Sequence, residues 1–199
     1  MEILKFVLLD WFGGALVSLL PTLIMMYFID KNRFSKKWGW IFLFVFYINA
    51  MFIIIGMPDS RHINWNPSIN LIPFNDFSSS NIMGMFLNIL LFVPYGFFVT
   101  IYFKRFRVLW RMLLSGLGLS CFIEILQLFT FRASDVDDLI MNTIGTLAGY
   151  GTAIYFFRKM KNNDSESEDR DGGKLLLMLI INVLAVFFIR YPLIEALSQ

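Results

Sequence analysis

Long runs of apolar residues without a charged side chain constrain this chain more than any other feature of its sequence. Residues 11–29 and 38–57 contain no Asp, Glu, Lys or Arg. A helix of about 20 mostly apolar residues crosses the ~30 Å hydrocarbon core of a bilayer. The whole chain is 57% hydrophobic and 16% charged, and soluble domains carry roughly a quarter charged residues. The sequence therefore argues against a soluble enzyme, and its net charge of +2 argues against a nucleic-acid-binding protein.

Four further segments are mostly apolar, at 81–103, 108–129, 138–157 and the shorter 175–189, although 108–129 carries Arg111 and Glu124 and 138–157 begins with Asp138. We therefore predict an all-α fold, a polytopic membrane bundle of about six transmembrane helices. Five spans form a core within residues 1–161. A polar, acidic and glycine-ended stretch at 162–173 is typical of a flexible linker, and residues 174–199 carry the sixth helix.

Basic residues alternate between the two sides of these predicted spans. Lys and Arg concentrate at 30–37, 104–111 and 158–174, whereas each segment on the other side holds a single basic residue. By the positive-inside rule, the three basic segments face the cytoplasm. We therefore expect a multi-pass protein of the cell membrane with both termini extracytoplasmic, and with the loops 58–80 and 130–137 on the same outer side.

Polar side chains gather near the outer ends of the predicted spans and in the turn between the fourth and fifth. An ionisable residue inside a span is costly, which makes it a candidate functional residue. We expect these side chains to converge on one site in the outer leaflet. The candidates are Asn88, Glu124, Gln127, Arg132, Asp135, Asp137, Asp138 and Asn142.

Glu124 has two interpretations. A carboxylate at this depth needs a partner or a proton, and Arg132 is the nearest cation, so a structural ion pair is one interpretation. The other is a general acid or base that donates or takes up a proton. In that case Asp135 or Asp138 orients it, and Arg132 stabilises developing negative charge.

The acidic residues of the turn also have a structural alternative. Ser134 followed by Asp137 fits a capping box at the start of the fifth helix. Asp135 and Asp138 suit the positive end of the same helix dipole. We interpret Asp137 first as a helix cap, and capping is an alternative for Asp135 and Asp138.

Small and polar residues of the third and fifth spans have a packing alternative. Gly145, Ala148 and Gly149 predict a face where two helices approach closely. Asn88 suits an interhelical hydrogen bond as well as it suits a ligand. Pro94 predicts a kink in the third span.

Metal chemistry is less well supported. The lone His62 and the absence of thiolates at ligand spacing argue against zinc. An all-oxygen Mg²⁺ or Ca²⁺ site of Glu124, Asp135 and Asp138 is an alternative. Neither a GxSxG nor a phosphate-binding glycine loop is present, so we predict no metal and no cofactor.

Four pieces of sequence, in this order and spacing, resemble the VanZ-like family over about residues 70–150. They are NLIPF at 70–74, NILLFVPYGF at 88–97, IEILQ at 123–127 and RASDVDDLIMNTIGTLAGY at 132–150. NLIPF is an apolar, proline-containing stretch of an outer loop, which suggests that it folds back into the membrane interface. The family positions are Asn88, Pro94, Gly96, Glu124, Gln127, Arg132, Asp135, Asp138, Asn142 and Gly145.

The resemblance implies an association with resistance to the glycopeptide teicoplanin in Gram-positive bacteria, without a known reaction. One function is binding or altering a lipid-linked or wall component at the outer leaflet, with candidate ligand contacts at Asn70, Asn88, Gln127, Arg132 and Asn142. Its partners would be membrane lipids, a lipid-linked cell-wall precursor or the lipoglycopeptide antibiotic. The alternatives are an enzyme that modifies an envelope lipid with Glu124 as general acid or base, and a small-molecule or lipid transporter.

Overall fold

The computed structural model describes residues 19, 21–24, 37–58, 60, 63–65, 67–75, 78–130, 133–156 and 168–189. This described part of the chain is almost entirely helical, which confirms the predicted all-α class. A 3-10 helix, Lys104–Arg107, joins the second and third helices. The elements in chain order are α1 (Lys37–Ile55), β1 (Ile69–Asn70), α2 (Ser79–Tyr102), α3 (Leu109–Gln127), β2 (Ser134–Asp135), α4 (Val136–Phe156) and α5 (Glu168–Phe188).

The five helices overlap the second to sixth predicted spans, and the first four of them agree with those spans to within two residues. The first predicted span lies mostly outside the described residues, of which residues 19 and 21–24 are helical. Among the described helices, α2 and α3 are long and apolar enough to cross a membrane, and Gly39–Ile55 and Gly172–Phe188 are shorter apolar helices. A membrane protein is therefore supported by α2 and α3, and the full set of six spans stays a prediction.

The last helix begins earlier than predicted. We placed its start at residue 174, after a flexible linker at 162–173, but α5 begins at Glu168. Acidic residues are favourable in the first turn of a helix because they face its positive dipole end. Glu168 and Asp169 at the start of α5 fit this rule. Residues 162–167 lie outside the described part of the chain.

The described residues divide into two compact units, one within 1–63 and 176–199 and the other within 64–175. In the first unit, a pair of buried asparagines joins α1 to α5. The Asn49 Nδ2 donates to the Asn182 Oδ1 at 2.6 Å. Each Nδ2 also donates to a backbone carbonyl one turn earlier in its own helix. A polar contact of this kind holds two apolar helices together where water is absent.

In the second unit, α4 packs closely against α2 through glycine. A β-carbon built on Gly145 would overlap the carbonyl oxygen of Ile89, and one built on Gly149 would overlap that of Val93. The predicted glycine packing face is therefore confirmed. Ala148 is exposed and does not belong to this face, because adjacent residues point about 100° apart around a helix.

The proline and glycine of the NILLFVPYGF segment both lie inside α2. Pro94 is within the helix, which continues to Tyr102. A β-carbon built on Gly96 would overlap the carbonyl oxygen of Thr146 in α4. The close approach of α2 and α4 therefore extends over several turns, and the predicted kink stays a prediction.

Candidate functional site

Two short strands bring distant motifs together beside the C-terminal end of α3. The strands β1 and β2 pair in parallel, with Ile69 opposite Ser134 and Asn70 opposite Asp135. The Ser134 N–H donates to the Ser68 carbonyl oxygen at 2.9 Å. This pairing places the start of the NLIPF segment next to the acidic residues that open α4.

Glu124 begins the last turn of α3 and is 8% exposed. Its Oε2 accepts two hydrogen bonds, from the Ser134 hydroxyl at 2.8 Å and from the Asp135 backbone N–H at 3.0 Å. Its Oε1 is buried and has no hydrogen-bond partner among the described residues. One carboxyl oxygen therefore fixes the turn before α4, and the other is available to a donor.

Asp135 connects the NLIPF segment to the first turn of α4. Its Oδ2 accepts from the Asn70 Nδ2 at 3.1 Å, and its Oδ1 accepts from the Asp137 N–H at 2.9 Å. The Asn70 Oδ1 in turn accepts from the Ile72 N–H at 3.2 Å. Asp135 is thus the residue that caps α4, because its side chain accepts an N–H two residues later, near the helix start.

Asp137 does not cap α4, and the predicted capping box with Ser134 is wrong. The Asp137 carboxylate is buried and accepts the Phe74 N–H at 2.9 Å and 3.1 Å, one distance to each oxygen. Phe74 has a positive φ of 54°, an uncommon conformation for a residue with a side chain. The Ser134 hydroxyl is directed to Glu124 instead. A hydrogen bond to Glu124, ten residues earlier, and one to Phe74, 63 residues earlier, therefore replace the local ones that the sequence suggested.

Two further amide side chains, outside this network, form hydrogen bonds between neighbouring helices. The Asn88 Nδ2 of α2 donates to the Asp138 Oδ1 of α4 at 2.6 Å. The Asn142 Nδ2 of α4 donates to the Ser120 hydroxyl of α3 at 2.9 Å. The interhelical alternative for Asn88 is therefore confirmed, and its role as a ligand contact stays a prediction.

Two amide oxygens of α3 and α4, like the Glu124 Oε1, are buried without a hydrogen-bond partner among the described residues. Gln127, at the end of α3, and Asn142 are both buried. The Gln127 Oε1 and the Asn142 Oδ1 have no hydrogen-bond partner among the described residues. Buried polar atoms are normally hydrogen-bonded, to protein or to another molecule. Three acceptor atoms on α3 and α4 are therefore open to water or to a ligand with N–H or O–H groups.

The NLIPF segment exposes its apolar side chains next to this polar network. Leu71 is 75% exposed and Ile72 is 62% exposed, and Phe74 and the preceding Ile69 are also exposed. Trp65 adds a further exposed ring, which packs on Phe129 with the ring centroids 5.0 Å apart. We call residues 69–74 the apolar loop. Asp135 binds the Asn70 side chain and Asp137 binds the Phe74 backbone N–H, so both ends of the loop are attached to the start of α4.

The structure brings several predicted site residues into one hydrogen-bonded network, namely Asn70, Glu124 and Asp135. Asn88 with Asp138, and Asn142 with Ser120, form separate pairs. Arg132 lies outside the described residues, so the proposed ion pair with Glu124 stays a hypothesis. Among the described residues, His, Cys, Asp and Glu side chains form no group of three or more that could hold a metal ion. The Mg²⁺ or Ca²⁺ alternative with Glu124, Asp135 and Asp138 is therefore not supported.

The sequence interpretation missed two site contributions. Ser134 was taken for a helix cap, although it donates to Glu124, and the Phe74 backbone N–H was not considered. The available signal was that Ser134 and Phe74 belong to two of the four family-like pieces. A local sequence pattern assigns a role to each residue within its own segment. It does not predict that the segments at 70–74 and 132–150 contact each other.

Comparisons with known proteins identify the family of the chain. A family model described as VanZ/LLP1 matches residues 41–158, which include the apolar loop, Glu124 and the start of α4. The chain is 30% identical over 115 residues to Protein VanZ of Enterococcus faecium, covering 57% of this chain and 70% of that protein. No solved structure matches the chain. The chain therefore belongs to the VanZ/LLP1 family.

Proposed function

We propose that this protein acts at the outer leaflet of the Gram-positive cell membrane and contributes to low-level resistance against teicoplanin. It does so by binding or altering a lipid-linked or wall component. In this proposal the protein is a bundle of about six spans with both termini extracytoplasmic. The proposal starts from membership of the VanZ/LLP1 family and from the properties of the polar network.

The observation that carries the proposal is the buried Glu124 Oε1, which belongs to a carboxyl group joined to the apolar loop through Asp135. The oxygen is buried and has no partner among the described residues, whereas Leu71 and Ile72 are exposed. A buried acceptor is costly unless a donor reaches it. An exposed apolar loop is favourable in a membrane interface or against an acyl chain. Together they suit an amphiphilic ligand with a donor-bearing head group and an apolar tail.

The charge distribution of the second unit supports the outer location of this site. Glu124 and Asp138 lie near the end of α3 and the start of α4, and the basic residues at 104–111 lie at the other end of α3. The helix between them is long and apolar enough to span a membrane. By the positive-inside rule, the basic end is cytoplasmic and the acidic end is outside.

An enzyme is the second candidate, and a specific feature of Glu124 favours it. Both donors that reach its carboxyl group bind the same oxygen, Oε2. The other oxygen is then oriented and available to give or take a proton from a bound substrate, as general acid–base catalysis requires. Asp135 would orient Glu124 through its backbone N–H, because its carboxylate is engaged by Asn70 and Asp137. Asp138, also predicted as a catalytic residue, contacts Asn88.

The test is teicoplanin and vancomycin susceptibility in a Gram-positive host that lacks the protein. The strains carry an empty vector, the wild type, Glu124→Gln, or Ile125→Leu as a matched control. Ile125 is the next residue along the helix and is 55% exposed, so it lies off the site. Glu124→Gln keeps one oxygen for Ser134 and Asp135 and removes the titratable group. Membrane abundance is measured by immunoblot in every strain.

We expect the wild type and Ile125→Leu to raise the inhibitory concentration of teicoplanin and not that of vancomycin. Loss of this effect in an abundant Glu124→Gln variant would favour the enzyme. Retention of the effect would favour binding, with Glu124 as a hydrogen-bond acceptor. A wild type that gives no protection would contradict the proposed function.

A further inference from the structure

A second polar surface lies at the opposite ends of α2 and α3 from Glu124. The chain leaves α2 through the 3-10 helix Lys104–Arg107 and enters α3 at Leu109. Residues 104–111 have the sequence KRFRVLWR, which contains four basic residues and no acidic one. We call this segment the basic turn. Its charge and position are independent of the proposed function at the other end of the unit.

Hydrogen bonds from side chains to backbone carbonyl oxygens hold the basic turn in place. The Arg107 guanidinium donates to two carbonyl oxygens in the last turn of α2, at 3.2 Å and 3.3 Å. The Arg111 guanidinium donates to the Arg105 carbonyl oxygen at 3.4 Å. The Tyr150 hydroxyl of α4 donates to the Arg107 carbonyl oxygen at 3.0 Å. A cation at a helix C-terminus is favourable, so Arg107 stabilises the end of α2. Arg111 lies in the first turn of α3 and holds the turn through its hydrogen bond to the Arg105 carbonyl oxygen.

Apolar side chains adjoin these charges on the same turn. Trp110 is 59% exposed, and Val108 and Leu109 are also exposed. The guanidinium carbon of Arg111 lies 5.4 Å from the centre of the Trp110 ring. Tryptophan beside basic residues at the end of a membrane-length helix is typical of the head-group level of a bilayer.

We propose that the basic turn binds the phosphate-bearing head groups of anionic phospholipids. Clusters of four or more basic residues next to a membrane span attract such lipids. Lys104 and Arg105 supply charge for the phosphate, and an arginine can donate two parallel hydrogen bonds to it. Trp110 lies at the head-group level, and Leu109 contacts the acyl chains.

An alternative occupant is the acidic start of α5. A β-carbon built on Gly172 would lie 3.2 Å from the Cδ of Arg105, so the first turns of α5 lie beside the basic turn. This part of the sequence includes Glu168 and Asp169. The exposed apolar residues 108–110 favour the lipid, because carboxylates of the chain itself do not require an apolar surface next to the charges.

The experiment measures lipid binding through thermal stabilisation of the purified full chain in detergent. A ligand that binds the folded state raises Tm, and the stabilisation grows with the logarithm of one plus the ratio of ligand concentration to Kd. Phosphatidylglycerol and phosphatidylcholine are titrated separately, and the Kd values fitted to the Tm shifts are compared. The variants are Lys104→Gln with Arg105→Gln, and the charge-preserving control Lys104→Arg with Arg105→Lys.

We expect the wild type to prefer phosphatidylglycerol and to lose this preference as salt is raised from 0.01 M to 1 M, because screening shortens the Debye length. The neutral double variant should bind phosphatidylglycerol more weakly, by about fivefold for each charge removed. The control should keep most of the preference. If the neutral variant does not fold, the salt dependence of the wild type tests the proposal. A preference for phosphatidylglycerol that is lost at 1 M salt supports binding through charge.

Two results would overturn the proposal. One is a neutral double variant with an undiminished preference for phosphatidylglycerol. The other is a wild type that binds both lipids equally. If Glu168→Gln with Asp169→Asn then created a preference, the acidic start of α5 would be the occupant of the basic turn.

Discussion

The Asp137 carboxylate accepts the backbone N–H of Phe74, although the two residues are 63 positions apart in the sequence. Both carboxylate oxygens lie within hydrogen-bond distance of that nitrogen. Phe74 adopts a positive φ there, so the bond holds the apolar loop in a conformation that a free chain would rarely adopt. A buried charge at the start of α4 therefore sets the position of an exposed apolar surface.

Removing that carboxylate should release the apolar loop. In Asp137→Ala, the Phe74 N–H loses its acceptor, and a hydrogen bond to a charged group contributes about 1.5–3 kcal/mol. Amide hydrogen exchange of peptides that cover residues 70–75 should become faster. Asp137→Asn is the control, because its side-chain oxygen still accepts the bond. Unchanged protection in Asp137→Ala would contradict this role.

The two hydrogen bonds to Glu124 should contribute to stability separately from any functional role. Glu124→Ala leaves the Ser134 hydroxyl and the Asp135 N–H without their acceptor, which costs about 1–3 kcal/mol. Glu124→Gln keeps an acceptor oxygen and should lose less than about 1 kcal/mol. Thermal unfolding in detergent measures the difference. Equal losses for alanine and glutamine would show that these bonds do not stabilise the fold.

Close packing of α2 and α4 should make Gly149 intolerant of a methyl group. Gly149→Ala should lower the free energy of unfolding by about 1–3 kcal/mol, because backbone atoms must shift to remove the overlap. Gly151 provides a matched control in the same helix, since a β-carbon there meets no atom within 4 Å. Gly151→Ala should be neutral or stabilising by about 0.5–1 kcal/mol. Chemical denaturation of both variants checks this, and similar losses would argue against the packing explanation.

The buried pair Asn49 and Asn182 should be energetically coupled. Either Asn→Leu variant leaves the other amide without this partner, whereas the double variant replaces both with apolar groups. We expect a coupling energy of about 0.5–1.5 kcal/mol, within the range of polar contacts between membrane helices. A double-mutant cycle on the free energy of unfolding measures it. Additive effects of the two single variants would show that the 2.6 Å contact is not stabilising.

The helices α2 and α3 and the packing glycines of α4 were largely predictable from sequence. Apolar runs at 81–103 and 108–129 predicted α2 and α3 to within a few residues, because a membrane helix satisfies its backbone within one continuous segment. Gly145 and Gly149 also predicted that another helix packs closely on α4. They are four residues apart and therefore lie on the same face of the helix. The start of α5 was less predictable, because acidic residues suit both a linker and a first helical turn.

The sequence predicted several residues of the candidate site, but it did not predict the hydrogen bonds between them. Glu124, Asp135 and Asn70 were identified as site residues, the first two as polar groups near the outer ends of spans and Asn70 as the first residue of the NLIPF piece. Ser134 and Asp137 were assigned to a local capping box that does not form. A local pattern assigns each side chain to its nearest backbone N–H, but a more distant donor competes for the same carboxylate.

The sequence by itself determined the class of this protein, its helices and its family, because these depend on hydrophobicity and on motifs that are local in the chain. Only the tertiary structure determined which side chains of the site form hydrogen bonds with each other. Two residues of β1 pair with two residues of β2, and this short contact brings the apolar loop to Glu124, Asp135 and Asp137. Hydrogen bonds between segments over 60 residues apart form only when the helices that carry them have packed, so no local pattern records them.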